Sequence, residues 1–174
     1  MCNFFEENLK SPYVIMLVGL PATGKSTFVK NFLKRHVFTL VSSDDYIEWI
    51  ANRNGKTYNE VFKDHMKDAE KHTLDCANFA IENNQNVVWD QTNLSSKVRK
   101  NRLNMFPEHY QKIAIVFQIP RIDIWKNRLD SRPGKTIPET ILQTMIKNFS
   151  MPTQQERFDI VSKYDEIQFE NDIR

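Results

Sequence analysis

The segment from residue 19 to residue 26 restricts the possible folds of this chain more than any other part of the sequence. It reads GLPATGKS and fits the pattern G-x-x-x-x-G-K-[ST]. An apolar run at residues 13–18 precedes it and predicts a buried strand, and residues 27–33 follow with the apolar spacing of a helix. A glycine loop between a strand and a helix is the setting that this pattern needs. The sequence therefore predicts a P-loop that binds a nucleoside triphosphate.

The residue types in this loop suit contact with phosphate. Gly19 and Gly24 let the backbone turn so that its N–H groups converge, and the next helix adds the positive end of its dipole. Lys25 can reach the β- and γ-phosphates, and the Ser26 hydroxyl can bind Mg²⁺. The predicted nucleotide-binding residues are Gly19, Pro21, Ala22, Thr23, Gly24, Lys25, Ser26 and Thr27.

The composition is that of a globular protein with one hydrophobic core. Of 174 residues, 40% are hydrophobic and 26% are charged, so we expect a single domain over residues 1–174 with residues 1–11 as a mobile segment. The net charge of +2 gives no strong basic field, so a nucleic acid would need a local basic patch. No apolar run is long enough to span a membrane. The oligomeric state stays open.

The two cysteines favour a reducing environment. Cys2 lies near the N-terminus and Cys76 in a predicted helix, which does not favour a structural disulfide. The first ten residues have no signal-peptide pattern. We therefore expect a cytoplasmic protein, in the host cytoplasm if the chain is encoded by a phage.

Alternating strands and helices predict a parallel sheet that is covered on both faces. Further strands are predicted at residues 38–41, 87–89, 113–119 and 167–169, and further helices at 45–51, 58–83, 96–105, 122–130 and 138–148. The first helix is expected to run to about residue 35. Short apolar strands joined by helices are typical of a three-layer α/β sandwich with a mostly parallel sheet. Ligands of such sheets bind beyond the carboxyl ends of the strands.

Polar residues follow three of the predicted strands, where a ligand is expected. Lys25 and Ser26 follow the first strand, Asp44 and Asp45 the second, and Asp90 the third. Phosphoryl transfer to a hydroxyl gains from a carboxylate that accepts its proton, and Asp44 is the candidate. Asp90 is a candidate ligand of Mg²⁺. The alternatives are helix capping for the paired aspartates and a turn position for Asp90.

Two arginines are candidates for stabilising the transferring phosphoryl group. Arg128 and Arg132 lie four residues apart around a predicted helix end, and a closing loop can bring either over the triphosphate. The alternative is a solvated basic face that they share with Lys126 and Lys135.

With these residues placed, the chain resembles the kinase domain of the 5′-polynucleotide kinases. The P-loop is shared with many proteins, but residues 41–46 (VSSDDY) resemble the segment that ends in that family's acceptor-activating aspartate. Residues 90–94 (DQTNL), with Arg99 downstream, resemble its D-x-T-N signature and the arginine that follows. Residues 127–138, 149–153 and 156–159 resemble its lid and C-terminal segment. The match spans about residues 13–169.

The resemblance implies a P-loop fold with a helical lid, and transfer of the γ-phosphoryl group of ATP, with Mg²⁺, to a hydroxyl. The implied acceptor is the 5′-OH of DNA or RNA, so the expected partner is a nucleic-acid 5′ end. Asp44 would be the general base, and Arg132, with Arg128, would hold the transferring group from the lid. The implied acceptor-side residues are Thr92, Asn93 and Arg99.

Two positions depart from the family pattern. Ser43 stands where the family usually has arginine, and Ile47 where bacteriophage members have an arginine that helps to hold the substrate phosphate. Both favour an alternative acceptor: a nucleoside, a small metabolite or a hydroxymethylated base in phage DNA. A nucleotide-binding module without transfer is the other alternative, which the retained Asp44 disfavours. We expect no fused phosphatase domain, because the chain ends soon after the lid.

Overall fold

Five parallel strands form one sheet in the computed structural model, which describes residues 4–164. They are β1 (Tyr13–Val18), β2 (Thr39–Val41), β3 (Val87–Trp89), β4 (Gln111–Phe117) and β5 (Ile160–Tyr164). Their order across the sheet is β2-β3-β1-β4-β5, so β1 lies in the middle. The predicted parallel α/β fold is confirmed.

The helices flank the sheet and carry the connections between its strands. Within residues 4–164 they are α1 (Phe4–Glu7), α2 (Lys25–Phe32), α3 (Ser43–Arg53), α4 (Tyr58–Glu82), α5 (Ser96–Leu103), α6 (Ile122–Asp130) and α7 (Glu139–Lys147). A 3-10 turn, Gln154–Glu156, precedes β5. None of the helices in this range is long and apolar enough to cross a membrane.

Alternate residues of β1 pack on opposite faces of the sheet. Val14 and Met16 belong to a core cluster with residues of α4 and α5, whereas Ile15 and Leu17 pack with the aromatic residues of α2. A strand buried on both faces reads as a continuous apolar run, which is why the sequence predicts β1 within its observed bounds. The two clusters give the predicted three layers.

Several element bounds differ from the prediction. The sequence predicts neither α1 nor β5, and the strand that it predicts at residues 167–169 lies outside the described residues. β5 is an edge strand with mostly half-buried residues, so it lacks a clear apolar pattern. β4 begins and ends two residues before the predicted range, and α2 ends at Phe32 instead of near residue 35.

The bounds of α3 matter most for the site. This helix begins at Ser43, before the predicted start at residue 45, because the Ser42 hydroxyl accepts a hydrogen bond from the backbone N–H of Asp45 (3.2 Å). Asp44 therefore lies in the first helical turn and not in a loop after β2.

The P-loop begins where β4 passes close to β1. A Cβ atom on Gly19 would lie 2.9 Å from Phe117 Cβ and 3.0 Å from the Phe117 carbonyl oxygen. Contacts this short do not occur between unstrained atoms, so only glycine fits here without moving the loop or the end of β4.

We expect Gly19→Ala to lower the stability of the fold by about 1–3 kcal/mol, since the added methyl group overpacks this contact. It should also weaken nucleotide binding at least about tenfold, because the displaced backbone is part of the P-loop. Calorimetric titration with ATP and denaturant unfolding measure the two effects.

Gly55→Ala is the matched control. Gly55 has a left-handed φ of +63°, and no atom lies within 4 Å of the position that an added methyl group would take. This variant should lose about 1–2 kcal/mol of stability through backbone strain and keep its affinity for ATP. Equal ATP affinities in the two variants would contradict the role given to Gly19.

Candidate active site

The P-loop has a fixed backbone shape that neighbouring residues hold in place. Ala22 and Gly24 adopt left-handed φ angles of 61° and 101°. The Thr23 hydroxyl donates a hydrogen bond to the Leu20 carbonyl (2.8 Å), and the Trp125 indole of α6 donates one to the Pro21 carbonyl (2.8 Å). The loop is therefore preorganised before any ligand arrives.

Lys25 lies folded over its own loop. Its ammonium group donates hydrogen bonds to the carbonyl oxygens of Gly19 (2.9 Å) and Leu20 (2.7 Å). Burial lowers the pKa of Lys25 to about 8, although the charges of Asp90 and Asp44 oppose this shift. With a pKa of about 8 the Lys25 ammonium is still mostly charged at neutral pH, so it would attract an anionic phosphate.

Asp44 is held by donors on both of its oxygens. The Tyr58 hydroxyl of α4 donates to Oδ1 (2.7 Å), and the Lys135 ammonium donates to Oδ2 (2.5 Å). Burial by itself raises the pKa of Asp44, but Lys135, Tyr58 and Arg132 outweigh burial and hold the pKa below its ordinary value. The carboxylate is therefore ionised at neutral pH, and each oxygen keeps a lone pair for a further donor.

The sequence does not predict a site role for Lys135 or Tyr58. The sequence places Lys135 in the lid segment or on a solvated basic face, but the structure buries this residue to 9% exposure beside Asp44. The available signal is Gly134, which has a left-handed φ of +62° and indicates a turn with a fixed shape. Tyr58 carries no sequence signal beyond its place at the start of a helix.

Asp90 closes β3 next to the P-loop. Burial raises its pKa to about 6, with Lys25 opposing this effect and Asp44 and Asp45 adding to it. Asp90 is half-buried, and Ser26 and Thr27 are exposed on the first turn of α2. A carboxylate and a hydroxyl are hard oxygen donors of the kind that Mg²⁺ takes up together with phosphate oxygens.

No self-sufficient metal site is present in the described part of the chain. Residues 4–164 contain no group of three or more His, Cys, Asp or Glu side chains that could hold a metal ion. Mg²⁺ that binds through one or two protein oxygens and through nucleotide phosphates needs no such group. The pair Ser26 and Asp90 thus fits Mg²⁺ that enters with a nucleotide.

Arg99 does not face an acceptor, contrary to the expectation from the resemblance. Its side chain has 0% exposure and donates through Nε and Nη2 to the two carboxylate oxygens of Glu156, both at 2.8 Å. Its Nη1 donates to the carbonyl oxygens of Asn93 (3.0 Å) and Leu94 (2.8 Å). The guanidinium group thus makes its hydrogen bonds within the protein, and these connect the loop after β3 to the C-terminal segment.

Asn93 is likewise a structural residue. It is 1% exposed, has a left-handed φ of 48°, and its amide donates to the Leu17 carbonyl of β1 (2.7 Å). Its Oδ1 accepts a hydrogen bond from Arg102. Asn93 and Thr92 both line a cleft of about 280 Å³ between α5 and α7.

We expect Arg99→Met to lower the free energy of unfolding by about 3–5 kcal/mol, because it leaves the Glu156 carboxylate buried and unpaired. Arg121→Met is the control, since Arg121 and Asp123 form an ion pair whose side chains are 79% and 56% exposed. It should cost at most about 1 kcal/mol. Urea unfolding measures both; a stable Arg99→Met variant that loses only acceptor affinity would restore the predicted substrate role.

The lid consists of α6, the loop at residues 131–138 and α7. The charge of Arg132 acts on both Lys25 and Asp44, so this arginine lies at the predicted site. Arg128 lies half-buried in α6. An apolar cluster joins the lid to the P-loop and to the loop after β3; its members are Leu20, Leu94 and Trp125, with Ala22, Leu129, Leu142 and Met145 around them.

Ile47 and Ser43 are both unavailable to an acceptor. Ile47 has 0% exposure and packs between α3 and α4 with Ala51, Val61 and Ala69. The Ser43 hydroxyl accepts a hydrogen bond from the Gln91 amide (2.7 Å). An arginine at residue 47 would disrupt the packing of α3 on α4, so a phosphate contact at this position is excluded.

A family model described as "AAA domain" matches residues 14–152, which include the P-loop, the loop after β3 and the lid. The chain belongs to the AAA domain family.

Curated relatives of this AAA domain are longer proteins. Human heterogeneous nuclear ribonucleoprotein U-like protein 2 is 24% identical over 166 residues, which cover 90% of this chain and 22% of that protein. The L-seryl-tRNA(Sec) kinase of Methanococcus maripaludis is 24% identical over 151 residues, which cover 84% of this chain and 56% of that protein. The chain thus spans little more than half of the length of the kinase and less than a quarter of the length of the ribonucleoprotein.

Solved structures share the fold of this AAA domain. A chain of the Pnkp1/Rnl/Hen1 RNA repair complex superposes with a TM-score of 0.62 at 24% identity, over 88% of this chain and 49% of that one. Shikimate kinase from Bacteroides thetaiotaomicron superposes with a TM-score of 0.52 at 17% identity, over 92% and 94%. The fold and the family confirm the predicted resemblance to P-loop kinases.

Proposed function

We propose that this AAA domain transfers the γ-phosphoryl group of ATP, with Mg²⁺, to the 5′-OH of DNA or RNA. The observation that carries the proposal is the ionised Asp44 carboxylate. Its charge interacts with those of the P-loop lysine Lys25 and the lid arginine Arg132. Nucleotide binding alone requires the P-loop and has no use for an oriented carboxylate opposite it. A base, a phosphate cradle and a cation on the lid are the parts that transfer to a hydroxyl requires.

The nucleotide would occupy the P-loop and an adjoining apolar cleft. This cleft has a volume of about 330 Å³ and lies beside the start of the P-loop; its lining includes Leu20, Phe117, Ile119, Ile146, Phe149 and Met151. Its size and apolar walls suit a nucleobase. The triphosphate would then extend along the backbone N–H groups of residues 19–27 to Lys25, with Ser26 and Asp90 as the protein ligands of Mg²⁺.

Transfer would form a bond between the acceptor oxygen and the γ-phosphorus and break the bond from that phosphorus to the β,γ-bridging oxygen. The acceptor proton passes to Asp44, and ADP leaves with the bridging oxygen. Ser26 and Asp90 would hold Mg²⁺, which would supply positive charge at the phosphate oxygens. Lys25 and Arg132 stabilise the charge on the transferring group, which is spread over its equatorial oxygens in a loose transition state.

The cleft at Thr92 supports a nucleic-acid acceptor. Arg102 lines it and is positioned by its hydrogen bond to Asn93 and by the Trp89 ring, whose centroid lies 5.1 Å from the guanidinium carbon. Burial lowers the pKa of Arg102 only to about 10, so its guanidinium group stays charged at neutral pH and would attract an anion in the cleft. Arg102 thus takes the phosphate-binding role that the resemblance implies for other positions.

A second candidate is a kinase of the same fold that acts on a different hydroxyl. The buried Ile47 and the neutral Ser43 favour it, because both remove an expected charge from the acceptor side. The extended match to a shikimate kinase, over nearly all of both chains, also favours a small acceptor.

Transfer of labelled phosphate from ATP to a panel of acceptors separates these candidates. The panel contains 5′-OH DNA and RNA oligonucleotides, L-seryl-tRNA, nucleosides, shikimate and duplex DNA with hydroxymethylated bases. We expect the label on the 5′ end of an oligonucleotide. Label on another hydroxyl would replace the proposed acceptor, and ATP binding without transfer to any acceptor would mean a nucleotide-binding module.

We expect Asp44→Asn to bind ATP with nearly wild-type affinity and to lose about 10²–10⁴-fold in transfer rate, because an amide cannot accept the acceptor proton. Asp45→Asn is the matched control, one residue further along α3 and exposed. It should stay close to wild type in both measurements. Fluorescence titration measures the affinity for ATP, and initial rates measure transfer. Loss of transfer in Asp45→Asn instead of Asp44→Asn would contradict the role given to Asp44.

A further inference from the structure

Lys135 is enclosed by the groups that surround the candidate base. Its ammonium nitrogen lies 2.5 Å from Asp44 Oδ2, 3.4 Å from Glu48 Oε1 and 3.9 Å from the centroid of the Tyr58 ring. Its side chain is 11% exposed, although lysine side chains are rarely buried. A lysine in this setting is fixed by two carboxylates and an aromatic face at once.

The backbone of the lid loop, residues 131–138, sets the position of Lys135. The backbone N–H of Asn59 donates to the Gly134 carbonyl (3.1 Å), and the Asn59 side chain donates to the Thr136 carbonyl (3.4 Å). A Cβ atom on Gly134 would lie 2.9 Å from Thr57 Cβ, so the loop rests directly on the start of α4. These contacts do not involve the lysine side chain. They fix the backbone of the lid loop and thereby place this side chain beside Asp44.

We propose that Lys135 is a positioning residue for phosphoryl transfer, which holds the Asp44 carboxylate in one orientation from the lid loop. This inference rests on the proposed role of Asp44 as the base. The Asp44 side chain is 50% exposed, so packing alone does not fix its rotation. Lys135 on one oxygen and Tyr58 on the other fix both its position and the plane of its carboxylate.

The lid loop thereby carries both a residue for the transferring phosphoryl group and a residue for the base. Arg132, which acts on the transferring phosphoryl group, and Lys135, which orients the base, lie three residues apart in one loop. Seating this loop on α4 brings both cations to the site together. In a loose transition state, the placement of the acceptor hydroxyl matters more than the strength of the base, so the charge of Lys135 beside Asp44 is compatible with catalysis.

Lys135 also affects how Asp44 titrates. The charged and titratable groups that face Asp44 are Lys135 and Arg132 from the lid, Tyr58 from α4, Asp45 and Glu48 from α3, Lys25 from α2 and Asp90 after β3. Burial raises the pKa of Asp44 and Lys135 leads the opposing effects. Removal of the lysine charge should raise this pKa, so activity that needs the ionised form should be lost at a higher pH.

The test compares Lys135→Met with wild type on the acceptor that the panel identifies. We expect kcat to fall by about 10–10²-fold with little change in the KM for ATP, and the acidic limb of the pH–rate profile to move to higher pH. Lys135→Arg should recover part of the rate. Lys126→Met, which removes an exposed lysine of α6, is the matched control and should match wild type. Thermal unfolding checks that each variant is folded.

A second readout does not depend on activity. The ¹³C resonance of the Asp44 carboxyl, assigned with Asp44→Asn, is titrated in the protein without acceptor. We expect a higher midpoint in Lys135→Met than in wild type or Lys126→Met. If wild type phosphorylates no hydroxyl, the proposed function fails while this titration still decides whether Lys135 controls Asp44. An unchanged midpoint, or an unchanged or increased kcat in Lys135→Met, overturns the inference.

Discussion

The buried ion pair between Arg99 and Glu156 is the interaction on which the site depends. A guanidinium group with no exposed surface is tolerated only when its donors are satisfied, and here two carboxylate oxygens and the carbonyl oxygens of Asn93 and Leu94 satisfy them. The pair thereby fixes the loop after β3 against the C-terminal segment. Through Asn93, whose amide bonds to Leu17, it also fixes this loop against the strand that carries the P-loop.

Preorganisation of the candidate site rests on contacts far from the phosphates. The P-loop is held by the indole of Trp125 from α6, and the lid loop is held by the start of α4. Asp44 lies between α4 and the lid loop and accepts hydrogen bonds from Tyr58 on one side and from Lys135 on the other. Catalytic geometry is sensitive to displacements of about 1 Å, so such support decides how well a base and a phosphate are aligned.

The structure does not expose Arg99 to the acceptor that the resemblance implies. Arg99 and Ile47 are both buried, whereas Arg102 lines the cleft beside Thr92. A family pattern transfers residue types along a sequence, but it does not fix which side of a helix faces the interior. Within α5, a shift of three residues separates the fully buried Arg99 from Arg102, which lines the cleft.

The sequence by itself determined the P-loop, the parallel sheet, the placement of Asp90 directly after β3 and that of Asp44 shortly after β2, because these follow from local patterns of apolar and polar residues. Only the tertiary structure decided the partners of those residues. The contacts of Asp44 with Lys135 and of Arg99 with Glu156 join residues 91 and 57 positions apart. Such contacts depend on how helices and loops pack over the sheet, and burial and charge pairing at that distance leave no periodic pattern along the chain.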